Sequence, residues 1–108
     1  MASRVVLTAP ADRDLAAIFE YLATEASLSI ADLVMARLLE AMGRAALFPR
    51  LYQERLEFTG RPRRINVYSY AIFYDLLPSG DVRILRVLHG RLDLDRYLGP
   101  DNEQREAA

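Results

Sequence analysis

Arginine carries all the positive charge of this 108-residue chain: its fourteen basic residues are arginines, lysine does not occur, and there are one histidine and no cysteine. A guanidinium stays protonated at any working pH. A lysine nucleophile, Schiff base or amine proton shuttle is therefore excluded, while planar, bidentate capture of phosphate or carboxylate stays open. With no thiol and one imidazole, neither a zinc site nor a cysteine nucleophile can be built in the usual ways. No metal or cofactor is expected. The arginines are also unevenly placed. Residues 50–64 hold Arg50, Arg55, Arg61, Arg63 and Arg64 against Glu54 and Glu57, a net +3, and residues 82–98 hold Arg83, Arg86, Arg91 and Arg96 against Asp93 and Asp95, a net +2. Residues 1–25 and 101–108 each sum to −2. The second half of the chain thus suits an anionic partner. On a regular strand Arg61 and Arg63 share one face and Arg64 takes the other, from which Arg64 can join Arg83 or Arg86 across a sheet to hold a phosphate or a carboxylate.

The elements that must position these side chains follow from the apolar period. Ser3 to Leu7 is a short β-branched run that ends at Thr8-Ala9-Pro10 and predicts a first strand. Pro10 suits the first turn of a helix, and Asp12 and Asp14 complement its positive end. Leu15, Ile18, Phe19 and Leu22 then recur at the spacing of one helical stripe. After a link of about five residues, short enough to favour an antiparallel hairpin, Ser27 and Ser29 both offer N-caps for a second helix, with Asp32 three residues beyond Ser29. That helix shows two apolar stripes. Ile30, Val34, Leu38, Ala41 and Ala45 form one, and Met35, Leu39, Met42 and Ala46 the other, and Pro49 ends the helix near Leu47 or Phe48.

Beyond Pro49 the composition changes to Val, Ile, Tyr and Phe, predicting strands over 63–67, 70–76 and 82–89. A tight connection at Tyr68-Ser69 joins the first two, and Pro78-Ser79-Gly80 turns the chain between the last two. Gly90 closes the last strand, Leu92 to Leu98 suit one or two helical turns, and Gly99-Pro100 precede a polar tail. The order β-α-α-β-β-β predicts an α+β fold: a helical hairpin on one face of an antiparallel sheet, with the other face partly open. One domain over residues 1–98, with 99–108 as a mobile tail, fits the 52% apolar composition. No stretch approaches the roughly 18 to 20 apolar residues of a membrane span, and no signal-peptide layout opens the chain, so a cytoplasmic location is expected.

The runs DLAAIFEYLA (14–23), LFPRLY (47–52), RRINVYSYAIFYDLL (63–77) and VRILRVLHGRLDL (82–94) together resemble the RelE/ParE toxins of bacterial type II toxin-antitoxin pairs, over about residues 4 to 98. The resemblance implies a small toxin masked by a cognate antitoxin of the ParD kind, with which it forms a hetero-oligomer. Met35, Leu39 and Met42 on the second helix, with Arg64, Arg83 and Arg86 on the sheet, are then the expected antitoxin contacts, the apolar three by a helix-in-groove mode. The alternative is that the methionines and Leu39 fill the core, and that the arginines pair with Glu54, Glu57 or Asp75.

Two activities occur in such toxins. RelE-like members cleave messenger RNA on the ribosome, and ParE-like members inhibit DNA gyrase without cleaving nucleic acid. Attack by a 2′-hydroxyl needs a base, a cation and an acid, and arginines supply only the cation. Proton transfer would fall to His89, Glu54, Glu57 or Tyr97, and a nuclease site would combine Arg64, Arg83, His89 and Tyr97. The lysines that RelE-like members gather with arginines are missing here. The resemblance therefore points to the ParE branch, with gyrase as target and no covalent catalysis; a ribosome-dependent nuclease and a degenerate member that only binds its antitoxin are the alternatives.

Overall fold

The computed structural model describes residues 4–56 and 60–90. The elements are β1 (Val5–Leu7), α1 (Ala9–Glu25), α2 (Leu28–Leu47), β2 (Arg63–Val67), β3 (Tyr70–Leu76) and β4 (Val82–His89), in the spatial order β1-β4-β3-β2. The expected bounds of β2, β3 and β4 hold residue for residue. The sheet is mixed where an antiparallel one was expected: β2, β3 and β4 form the antiparallel meander, but β1 lies parallel to β4 with Val5 beside Val82 and Leu7 beside Ile84. A helical crossover returns the chain to the same end of the sheet, which makes parallel pairing the natural outcome. Gly90 closes β4 at φ +64, and Gly80 takes φ +91 in the turn where Leu77 N–H donates to Asp81 O.

Both helices start on a side-chain cap. The Thr8 hydroxyl accepts from Ala11 N–H at 3.2 Å and donates to the carbonyls of Ile84 and Leu85 at 2.9 and 3.1 Å, so one side chain starts α1 and fastens it to β4. Ser27, one of the two expected caps, accepts from Ile30 N–H at 3.1 Å. Leu15 and Ile18 of α1 and Val34, Leu38, Ala41, Met42, Ala45 and Ala46 of α2 pack on Ile65, Ile72, Tyr74, Val82, Ile84 and Val87 of the sheet. Ile30, expected on the buried stripe, is exposed, since Ala31 takes the inward position.

Leu85 is an extra residue in β4, because Tyr74 pairs with Ile84 while Phe73 pairs with Arg86. The bulge frees Val87 N–H, which donates to Asp14 of α1 at 2.9 Å; the same carboxylate accepts from Arg86 Nε and Nη2 at 2.8 and 3.1 Å. The face away from the helices is less open than expected. Ala71, Phe73 and Leu88 are buried there in a second cluster, with the Arg64 guanidinium 5.7 Å from the Phe73 ring centre.

Tyr74 is fully buried, and its hydroxyl donates to Pro49 O at 2.7 Å, which ties the segment after α2 to the sheet. Burial pushes its phenol up from 10 to about 12, against the opposing charge of Arg63. The neutral form is therefore the one the fold prefers, so its contribution is complete below about pH 10 and is lost as pH rises towards 12. In urea titrations from pH 8 to 11.5, Tyr74→Phe is expected to be less stable by about 1 kcal/mol at pH 8 and to lose stability less steeply above pH 10 than the parent. Parallel curves would refute this.

Candidate functional site

The sheet separates the side chains that a nuclease site would have to gather. Arg83 stands at the start of β4, across from Asp75 on β3, and holds it with two hydrogen bonds of 2.9 and 2.6 Å. Hydrogen bonding to Asp75, and then its charge, push the Arg83 pKa above its ordinary value. Arg64 lies in register with Phe73 on the helix-free face and donates to Asn66 Oδ1 at 2.8 Å. His89 is at the other end of β4, six residues from Arg83, or roughly 20 Å at strand rise. Its partner across the sheet is Tyr70, on which its ring lies tilted with centroids 4.8 Å apart. Strand alternation puts Tyr70 on the helix face and Asp75 on the other, so His89 and Arg83 occupy opposite faces. Ala17, Ile18 and Tyr21 of α1 complete a cleft of about 320 Å³ around His89 and Tyr70. Tyr97 and Glu57 lie outside the described residues, and Glu54 is engaged with Arg63 at 3.7 Å.

The expected antitoxin contacts on α2 divide in the same way. Leu39 is 52% exposed, Met35 is partly buried against the core, and Met42 is 1% exposed. Met42 follows Leu38 by one turn and faces the sheet with Ala45, so it fills the core and offers no surface to a partner. Arg86, expected as a further contact, is held by Asp14. Arg64 is engaged by Asn66 and by the Phe73 ring. Arg61, expected to share a strand face with Arg63, precedes β2 at φ +52.

Sequence reasoning missed an exposed apolar cleft. Leu47, Phe48 and Leu51, each about 60% exposed or more, border with Leu76 and Gly80 a space of about 560 Å³ between the end of α2 and the β3–β4 turn. The signal was the run LFPRLY at 47–52, which keeps three large apolar residues after the helix pattern has stopped. Exposed apolar patches of this kind mark interaction surfaces.

The architecture is that of the RelE/ParE fold. The structure superimposes on a chain of the chromosomal ParDE toxin-antitoxin system from Pseudomonas aeruginosa with a TM-score of 0.72 at 14% identity, covering 83% of this chain and 98% of that one. It superimposes on a chain of the RelBE2 toxin-antitoxin complex from Mycobacterium tuberculosis with a TM-score of 0.59 at 21% identity, covering 82% and 92%. In sequence, residues 5–94 match the family described as the ParE toxin of the type II toxin-antitoxin system parDE. The chain is 31% identical over 98 residues to Toxin ParE1 of Mycobacterium tuberculosis, covering 91% of this chain and all of the relative. It is also 31% identical over 96 residues to Toxin ParE3 of Caulobacter vibrioides, covering 89% and 95%. The chain belongs to the ParE toxin family.

Proposed function

We propose that this ParE-family toxin acts by binding DNA gyrase and inhibiting it without cleaving nucleic acid, and that a cognate antitoxin of the ParD kind silences it in a hetero-oligomer. The observation that carries the reading is the dispersal of the arginines and the histidine. Arg83 is engaged with Asp75, Arg86 with Asp14, and His89 lies on the far end and other face of the sheet. These positions favour surface recognition over proton transfer at one phosphate. Leu39 and Met35, with the cleft around Phe48 and Leu51, offer apolar anchors for the antitoxin, and Arg64 adds a cation for one of its carboxylates.

Purified toxin is expected to inhibit gyrase supercoiling, with antitoxin restoring it, and to leave ribosome-bound messenger RNA intact. Cleavage of that RNA with supercoiling unaffected would overturn the proposal. The His89→Ala variant provides a second check. Loss of a general acid or base lowers an enzyme's rate roughly 100-fold to 10,000-fold, whereas here toxicity in a growth assay is expected to stay within about a few-fold of the parent, the normal result of trimming one exposed contact. A folded, antitoxin-binding His89→Ala protein without toxicity would sink the non-enzymatic reading.

A further inference from the structure

At the β3–β4-turn end of the sheet the chain gathers Arg50, Arg55, Arg61 and Arg63. Residues 53–55 run beside the start of β2, where Glu54 bridges Arg63 and Arg55 N–H donates to Pro62 O at 2.7 Å. This brings Arg55, Arg61 and Arg63 to one flank, and Arg50 borders the apolar cleft next to Leu76 and Gly80 at the same end. Arg63 serves the fold by donating to Tyr52 O at 2.6 Å and facing Glu54. Arg50 and Arg61 are exposed and enter no ion pair among the described residues. Arg61 is also held in a conformation its side chain disfavours: it follows Gly60, at φ +85, and itself takes φ +52. Glycine or asparagine would adopt that backbone with less strain. A strained, exposed arginine beside a buried Pro62 points to a role for the guanidinium outside the fold.

We propose that this flank, centred on Arg50 and Arg61 and supported by the field of Arg55 and Arg63, contacts the phosphate backbone of duplex DNA. The net charge of residues 50–64 is +3, in a chain whose whole net charge is −1. Guanidinium forks match phosphate oxygens, and a duplex offers a continuous line of them, about one charge per 1.7 Å of axis. The inference deepens the gyrase reading and rests on it, since an inhibitor seated on gyrase works beside the DNA that the enzyme holds. Contacts of this kind position the protein on any sequence and specify none.

The test is fluorescence anisotropy of a labelled 20-base-pair duplex with purified toxin between 50 and 200 mM salt, comparing the parent with the Arg50→Ala/Arg61→Gly double variant. Arg61→Gly relieves the backbone, so a melting temperature at or above the parent's shows that the fold is intact. The parent is expected to bind, with an affinity that falls steeply with salt. The double variant is expected to bind at least about tenfold more weakly at 50 mM salt, and its slope of log K against log salt should be shallower by about 1.8, or 0.9 for each lost phosphate contact. No binding by the parent, or an unchanged slope in the double variant, would overturn the proposal. So would a double variant that binds DNA like the parent but loses its antitoxin, which would assign the flank to an acidic protein. Supercoiling inhibition by the parent is scored separately: inhibition without DNA binding sinks this inference alone, and DNA binding without inhibition sinks the gyrase reading alone.

Discussion

Replacing Asp14 with alanine is expected to lower the stability of the fold by about 3 kcal/mol and its melting temperature by roughly 10 to 15 °C. One carboxylate receives both nitrogens of the Arg86 fork and the N–H that the bulge leaves out of the ladder. The alanine variant removes the Asp14 carboxylate from a half-buried guanidinium and from the Val87 N–H. Arg86 is 37% exposed, so water recovers part of the loss, which keeps the figure at the low end for a broken buried pair. Asp14→Asn keeps an acceptor for Val87 and is expected to recover about 1 kcal/mol. Urea unfolding at constant slope measures both, and a loss below about 1 kcal/mol for Asp14→Ala would show that the Asp14 carboxylate contributes little to holding α1 on β4.

Phe73→Ala is expected to be as damaging as a truncation under the helices, at about 3 to 5 kcal/mol. Phe73 faces away from α1 and α2, yet it is fully buried beside Ala71 and Leu88. Removing the ring opens a cavity and takes away the surface on which the Arg64 guanidinium lies. Phe73→Leu, closer in volume, should cost about 1 to 1.5 kcal/mol. A Phe73→Ala protein within about 1 kcal/mol of the parent would show that the cluster contributes no core. Its antitoxin affinity, compared at a temperature where the variant is folded, then reports how far Arg64 depends on that platform.

The helical period and the two turn sequences were legible because each is local. Leu15 and Ile18 declare the inner face of α1, and Pro78-Ser79-Gly80 declares a reversal, from residue types and short spacings alone. The pairs of Arg83 with Asp75 and Arg63 with Glu54 were within reach as the bland reading of sheet arginines. The Arg86–Asp14 clamp was not, since 72 residues separate its partners and only the Leu85 bulge brings them together. Met42 misled for a related reason. Two neighbouring apolar stripes on one helix do not say which of them the sheet takes, and the sheet takes part of each. The bulge also shifts the faces of β4, so that counting by twos from Arg83 fails to say which side His89 occupies.

The parallel pairing of β1 with β4 has a consequence for how the toxin comes into being. Val5 and Val82 lie 77 positions apart in the chain, and the strand that joins β1 to the rest of the sheet is the last of the four to leave the ribosome. Until Val82–His89 emerges, β1 has no neighbour, β3 lacks one of its two, and α1 has neither the Ile84 carbonyl for Thr8 nor the Val87 N–H for Asp14. Closing so long a loop is slow compared with forming a helix. The native sheet therefore waits for β4, and a chain terminated before Val82 cannot form it at all. The surface that spans β1, β4 and β3 thus exists only once Val82–His89 has been made.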